Sequence, residues 1–251
     1  MDHEVQRYDD RTVIIRQGLH TNFEAPFLYL LLGTERALLL DTGTGHVPLR
    51  PLIESLLDGQ QLVVAHTHAH GDHIGGDAEF AEEVGPSPAE VVGGARPEVV
   101  GWTAPEVAAF FGLSEWPEGV AQFDLGDRVL DIIPIPGHHA SHIAVYDRAT
   151  RLLFTGDTVY PGRLYVADWA AFRASVSRLA RFVAAGNPVE WVLGAHIELT
   201  TRPGEDYPMG ATEHPDEHEL RLAPAVLAEL DAVLGAEPER IVRDHFIVYP
   251  V

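Results

Sequence analysis

The chain has 251 residues, 46% of them hydrophobic, enough to bury a full core as one large α/β domain without calling for a second. It contains no cysteine, which excludes disulfides and thiolate ligands, so any metal must be held by histidine, aspartate or glutamate. The formal net charge of −21 comes from 38 acidic residues against 17 basic ones, all arginine; it disfavours nucleic acid, anionic membranes and polyanionic substrates, and leaves a small molecule as the expected partner.

The opening segment, MDHEVQRYDD, is charged and lacks the apolar stretch of a signal peptide. No run nears the roughly 18 apolar residues of a membrane span, so a soluble cytoplasmic protein is expected. Apolar runs at 13–16, 27–32 and 37–40 predict strands, the last two joined by a turn at Gly33-Thr34-Glu35-Arg36. Helical spacing over 48–57 precedes a further strand at 62–65. Asp41, at a strand end among glycines, reads as a support for a neighbouring group rather than as a ligand.

The strand at 62–65 runs directly into AHTHAHGDHIGG, residues 65–76. Within it His68, His70, Asp72 and His73 form H-x-H-x-D-H, a crowding of metal-competent side chains that a solvated loop does not explain. His68 and His70 are two apart on an extended strand end and face the same way, so both can grip one ion. Beyond the turn that Gly71 permits, Asp72 and His73 point towards a second ion. Neutral imidazole and carboxylate suit Zn²⁺, with Fe or Mn as alternatives.

A helix over 77–84 is stopped by Gly85-Pro86, and Val91-Val92 reads as a brief strand. Residues 93–122 are irregular around one helix at 105–111 and carry Trp102 and Trp116, the composition of a pocket wall or of core packing. Strands follow at 128–135, 142–147 and 152–155, with Pro136-Gly137-His138-His139 at one end and Gly156-Asp157 at another. An amphipathic helix over 169–185 carries Trp169, Phe172, Val176, Leu179 and Val183 on one face. A strand at 189–193 delivers His196, a helix spans 216–234, and a last strand covers 241–249.

HAHGDH (68–73), PGHHASH (136–142), FTGDTVY (154–160) and GAHIE (194–198) each follow a predicted strand. In order and character they resemble the metallo-β-lactamase superfamily. That resemblance implies a single domain over 1–251, folded as a four-layer αβ/βα sandwich with a binuclear metal site along one edge of its sheets. It treats 93–122 as an insertion flanking the site and 200–236 as a loop plus C-terminal helix. By the same resemblance His68, His70 and His138 ligate one metal, Asp72, His73 and His196 the other, and Asp157 bridges them. The PGH pattern selects His138 over His139, and His142 matches a position that supports the sheet. His66 reads as packing or as a support for the ligands.

The resemblance also implies the chemistry. A hydroxide bridging two divalent ions, zinc first, attacks a carbonyl, with Asp72 orienting the nucleophile and passing its proton to the leaving group. Tyr160 resembles a residue that donates a hydrogen bond to the substrate in the family's lactonases; a packed ring beside Pro161 is the other reading. An aspartate bridge argues against a true β-lactamase, where cysteine or serine usually stands. The expected reaction is thioester or ester cleavage of the glyoxalase II and acyl-thioesterase kind. Lactonase (including the N-acyl homoserine lactone type), phosphodiesterase and iron-dependent sulfur dioxygenase activity follow as alternatives. By the same comparison the C-terminal region is short for a glutathione-binding domain and offers few basic residues to hold an anionic thiol carrier.

Overall fold

The computed structural model of the protein describes residues 2–81, 98–100 and 102–251. The first sheet lays β1 (His3–Asp9), β2 (Thr12–Gln17), β3 (Phe27–Leu32), β4 (Arg36–Leu40), β5 (Gln61–Ala65) and the short β6 (Glu98–Val99) side by side in chain order. The first four pair antiparallel, while β4, β5 and β6 pair in parallel. The change of direction follows from α1 (Arg50–Leu56), the crossover that a parallel neighbour of β4 requires. The short helices α2 (Gly71–Ile74) and α3 (Ala78–Ala81) follow β5, and α4 (Ala104–Phe111) opens on a capping box between Thr103 and Glu106.

The second half supplies β7 (Ala121–Asp124), β8 (Val129–Pro134), β9 (Ile143–Asp147), β10 (Leu152–Gly156), β11 (Arg163–Val166), α5 (Trp169–Ala184), β12 (Trp191–Gly194), β13 (Arg221–Leu222), α6 (Ala225–Val233), β14 (Ile241–Val242) and β15 (Ile247–Pro250). The second sheet has the order β13-β12-β10-β9-β8-β7, and a small third one the order β11-β15-β14.

Alternate residues of a strand face opposite ways, and here both faces of both main sheets are covered, hence the continuous apolar runs. Tyr29, Leu31, Leu38 and Val63 of the first sheet meet Ile132, Val145, Phe154 and Leu193 of the second in the central core. Leu28, Leu30 and Leu39 turn outward under Ile53 of α1 and Phe80 of α3. Ile133, Ala144 and Leu153 turn outward under Phe172, Val176 and Leu179 of α5 and Leu227 and Leu230 of α6. The layering is helix, sheet, sheet, helix: the expected αβ/βα sandwich.

Several elements differ from the sequence reading. The helix expected over 216–234 is confined to α6, because Pro224 sets its start and the preceding residues are drawn into pairing: β13 joins β12, and the Leu199 carbonyl accepts from the His218 amide. The last strand divides into β14 and β15 around a turn closed by the Arg243 amide on the Phe246 carbonyl, at the polar interruption Arg243-Asp244-His245. β1, β11 and β7 were not anticipated; β1 is mostly exposed and polar. The helix predicted over 77–84 begins in α3, and its remainder, with Val91-Val92, lies outside the described residues. Among the described residues no helix is long and apolar enough to cross a membrane.

One buried cation ties the sheets together. Arg128, at the entry to β8, donates to the Arg11 carbonyl at 2.6 Å, Thr12 Oγ1 at 2.7 Å and Asp147 Oδ2 at 2.6 Å. Burial pushes the Asp147 carboxyl up, but Arg128 and the Thr150 hydroxyl outweigh it and hold it below the ordinary carboxylate value. Asp147→Ala strands the guanidinium without its anion and is expected to lose about 3–5 kcal/mol of unfolding free energy, whereas Arg128→Met with Asp147→Leu loses much less. The contribution of Asp147 is complete above its unfolded value of about pH 4 and is lost as pH falls through the depressed folded-state value. Urea unfolding at pH 7 and pH 3 checks both statements: the gap between wild type and Asp147→Ala narrows at the lower pH.

Candidate metal centre

Strand direction decides where the chemistry gathers. β4 and β5 run in parallel, and so do β8, β10 and β12, the first of these through two antiparallel pairings across β9. Their C-terminal ends open on one edge of the sandwich. Three hydrogen bonds close the two sheets over that edge: the Ile143 amide to the Thr67 carbonyl at 2.9 Å, the Phe27 amide to the Ala195 carbonyl at 2.7 Å, and the Tyr29 hydroxyl to the Gly194 carbonyl.

Three histidines of the cluster are aimed by what holds their outer ring nitrogens. Asp41 lies just beyond β4 with a left-handed backbone (φ +70°), an unfavourable conformation for a residue with a Cβ, and its carboxylate is fully used. It accepts from the Thr67 amide at 2.7 Å, the Thr67 hydroxyl at 2.8 Å and His73 Nδ1 at 2.8 Å. The supporting role expected for Asp41 is what the geometry shows. His138 Nδ1 donates to the Tyr165 carbonyl at 2.7 Å and His196 Nδ1 to the Glu24 carbonyl at 2.8 Å. With those bonds on the outer side, the Nε2 atoms of His73, His138 and His196 face inward. Gly156 (φ +49°) sets Asp157 in place; a Cβ there would stand 2.6 Å from His142 Nε2.

The inward atoms form contiguous groups. His68 Nε2, His70 Nδ1 and His138 Nε2 are 2.9–3.2 Å apart. Asp72 Oδ2 lies 3.5 Å from His73 Nε2 and 3.3 Å from His196 Nε2. Asp157 faces both groups: Oδ1 is 3.4 Å from His73 Nε2 and 3.3 Å from His196 Nε2, while Oδ2 is 3.6 Å from His138 Nε2 and 3.9 Å from His68 Nε2. All seven residues expected as ligands therefore meet at one place, and each group has the donors to hold a metal ion. The spacing suits that use, since nitrogens about 2.05 Å from a tetrahedral ion stand about 3.3 Å from one another. His73 Nε2 and Asp157 Oδ1 are buried and have no hydrogen-bond partner, a costly arrangement for protein alone that a cation would relieve.

The charges agree with the geometry. Burial lowers the pKa of His68 well below the ordinary imidazole value, and the neighbouring His73 and His142 add to that, so it stays neutral and able to ligate. Burial works in the same direction on His73 and His196, yet Asp157 and Asp72, with Asp41 also acting on His73, carry both well above the ordinary value. Burial raises the two carboxyls, but His73 and His196 hold Asp72 at about 2 and Asp157 well below the usual carboxylate range. The protein alone thus balances two carboxylates with two imidazolium protons, positions that a bound cation would take over.

The remaining candidates lie around this cluster. Tyr160 is buried, with its ring 5.6 Å from that of His196, and its single hydroxyl proton is engaged by the Arg163 carbonyl, with Glu198 Oε2 at 3.1 Å. Donation to a substrate would require breaking that bond. His139 Nδ1 sits 3.0 Å from Ser141 Oγ rather than in either group. His142 stacks on His68 with ring centroids 4.6 Å apart, and His66 Nε2 is 3.1 Å from Asp77 Oδ2. The carbonyls of Tyr165 and Glu24, which fix two of the histidines, were not foreseen; being backbone atoms, they leave no mark in residue type.

The chain belongs to the metallo-β-lactamase superfamily, whose model matches residues 22–240. It is 31% identical over 207 residues to the acyl-coenzyme A thioesterase MBLAC2 of Gallus gallus, across 68% of this chain and 72% of that one. It is 28% identical over 165 residues to the hydroxyacylglutathione hydrolase of Yersinia enterocolitica, across 63% of this chain and 58% of that enzyme, so it spans less than two thirds of the latter's length. Among solved structures, a metallo-β-lactamase from Pontibacter korlensis superposes with a TM-score of 0.59 at 18% identity, covering 94% of this chain and all of the other, a likeness of fold.

Because Asp41 fixes the ring of His73, Asp41→Asn is expected to weaken metal binding about 10–100-fold while leaving the fold intact. Competition titration with a chromophoric chelator, alongside circular dichroism, checks this.

Proposed function

We propose that this protein is a binuclear metal-dependent hydrolase that cleaves a thioester or ester bond of a small molecule. The observation that carries the reading is Asp157, whose two oxygens face two different sets of donors. His68, His70 and His138 would hold one ion and Asp72, His73 and His196 the other, with zinc suited to a donor set of imidazole and carboxylate without thiolate. Two such ions, when bound, would lower the pKa of water towards neutrality and polarise a carbonyl.

The protein's own groups have distinct tasks. Asp41 and the carbonyls of Tyr165 and Glu24 keep the histidines in the tautomer that ligates. Asp72, ionised and presenting Oδ2 to His73 and His196, has its other oxygen free to orient the attacking water and carry its proton to the departing sulfur or oxygen. Water adds to the acyl carbon, the bond to the leaving atom breaks, and the products are a carboxylic acid and a thiol or alcohol. Tyr160, whose proton is engaged by the Arg163 carbonyl and whose ring stands beside that of His196, lends the lactonase alternative less support. Release of an acyl group from a thiol is also what the names of the chicken and Yersinia relatives describe, and it supports the thioester over other esters.

Asp157→Ala and His70→Ala are each expected to lose bound metal and turnover together, measured by elemental analysis and by a hydrolysis panel of thioesters, lactones, phosphodiesters and β-lactams. Full activity in metal-depleted wild-type protein, or a panel in which only a phosphodiester or a β-lactam is cleaved, would overturn the proposal.

A further inference from the structure

The ligands Asp72 and His73 stand on α2, a helix of four residues that is too short to hold its own shape. What fixes it comes from outside. The Gly75 amide donates to the Gly43 carbonyl and the Thr42 amide to the His73 carbonyl, both at 2.8 Å, so the far end of α2 lies against the chain leaving β4. Asp77 locks that junction. Its Oδ1 accepts from the Thr42 hydroxyl at 2.8 Å and its Oδ2 from the Trp102 indole N–H at 2.8 Å, while His66 Nε2 stands 3.1 Å from Oδ2. The contact leaves no slack: a Cβ on Gly76 would lie 2.5 Å from the Thr42 carbonyl oxygen.

Two routes lead from Asp77 back to the ligands. Thr42 is bonded to both Asp77 and His73, and it follows Asp41 in the chain. His66 is buried and places its other ring nitrogen 3.9 Å from Asp41 Oδ1, on the carboxylate that aims His73. Burial raises the pKa of Asp77, but His66, the Thr42 hydroxyl and the Trp102 indole outweigh that and hold it below the ordinary value, so it is an anion at neutral pH. Trp102 is 50% exposed; its N–H, more than its packing, connects it to this network. Among the described residues no hydrogen bond or ion pair of Asp77 reaches His68, His70 or His138. Building on the two-ion reading above, we infer that Asp77, tied down by Trp102, is a positioning residue for the group Asp72, His73 and His196 alone. It holds α2 where that group can close on an ion, and the group His68, His70 and His138 is built without it.

Zinc titration of the metal-depleted protein against a chromophoric chelator tests this, with the histidine rings followed by proton–nitrogen NMR to show which group each ion enters. In Asp77→Asn an amide N–H faces the Trp102 donor, and one ion is expected to bind about 10–100-fold more weakly while the other stays within about twofold of wild type. The weakened ion is the one whose uptake shifts the rings of His73 and His196. Trp102→Phe, which takes only the N–H from a half-exposed ring, moves the same ion in the same direction by less, and it decides alone if Asp77→Asn does not fold. A role confined to packing would lower the melting temperature without separating the two ions. Equal weakening of both ions, or none in Asp77→Asn, overturns the inference and leaves the hydrolase reading intact. A wild type that takes up one ion only ends the two-ion reading instead, and hydrogen exchange in the metal-free protein then decides whether Asp77 positions α2. Exchange about tenfold faster in Asp77→Asn at the His73 and Ile74 amides, both bonded to the His70 carbonyl, with β5 unchanged, upholds it; unchanged exchange ends it.

Discussion

The carboxylate of Asp157, set between imidazoles that belong to distant parts of the chain, is the constraint around which the edge of this sandwich is arranged. Its oxygens point at His73 and His196 on one side and at His68 and His138 on the other. None of these contacts is a hydrogen bond of ordinary length, and buried donors and acceptors left at such distances are expensive unless something sits among them. The rest of the fold prevents the cluster from relaxing. The outer nitrogens of His73, His138 and His196 are anchored to Asp41, Tyr165 and Glu24, and each anchor comes from a different element, so no single movement relieves the crowding.

Rigidity of that kind comes from the two sheets being fixed to each other. The central core is apolar and has no direction of its own, since packing alone would allow one sheet to slide over the other. Directional bonds set the register: Arg128 spans from β8 to the turn before β2 and to the end of β9, and the Tyr29 hydroxyl and Phe27 amide reach the residues just before His196. Burying a guanidinium is not in itself a source of stability, but an arginine that meets its anion in only one alignment selects that alignment. The strained backbone of Asp41 belongs to the same account: an unfavourable φ persists where three hydrogen bonds hold the side chain in place.

How much of this the sequence discloses depends on whether an interaction is local. H-x-H-x-D-H is legible because its members share one strand end and one turn, and the strands beneath it are legible because burial on both faces makes them continuously apolar. His138, Asp157 and His196 are separated by long stretches of chain, and their association with the motif came through family resemblance; the structure brings them to it through the parallel directions of β8, β10 and β12. What could not be read is what depends on neighbours. β1 is polar and pairs only along one edge, β11 is a strand because β15 lies beside it, and residues 216–222 prefer partners on β12 and Leu199 to the helix that their spacing suggested. The role expected of Tyr160 meets the same limit, because the direction of a hydroxyl is set by the Arg163 carbonyl and Glu198, neither of which residue spacing reveals.

The chain's acidity takes on a particular meaning at this edge. Arg128 is spent on joining the sheets, Arg163 on Glu198 and Asp206, and Arg16 on Glu217 in a bidentate pair, so these arginines are paired within the scaffold. Positive charge at the centre must then arrive from outside the chain. Bound divalent ions would supply it to Asp72 and Asp157, displacing the imidazolium protons that otherwise balance them. A protein that commits its own arginines to the scaffold leaves the balancing of these carboxylates to the ions that its ligand groups would hold.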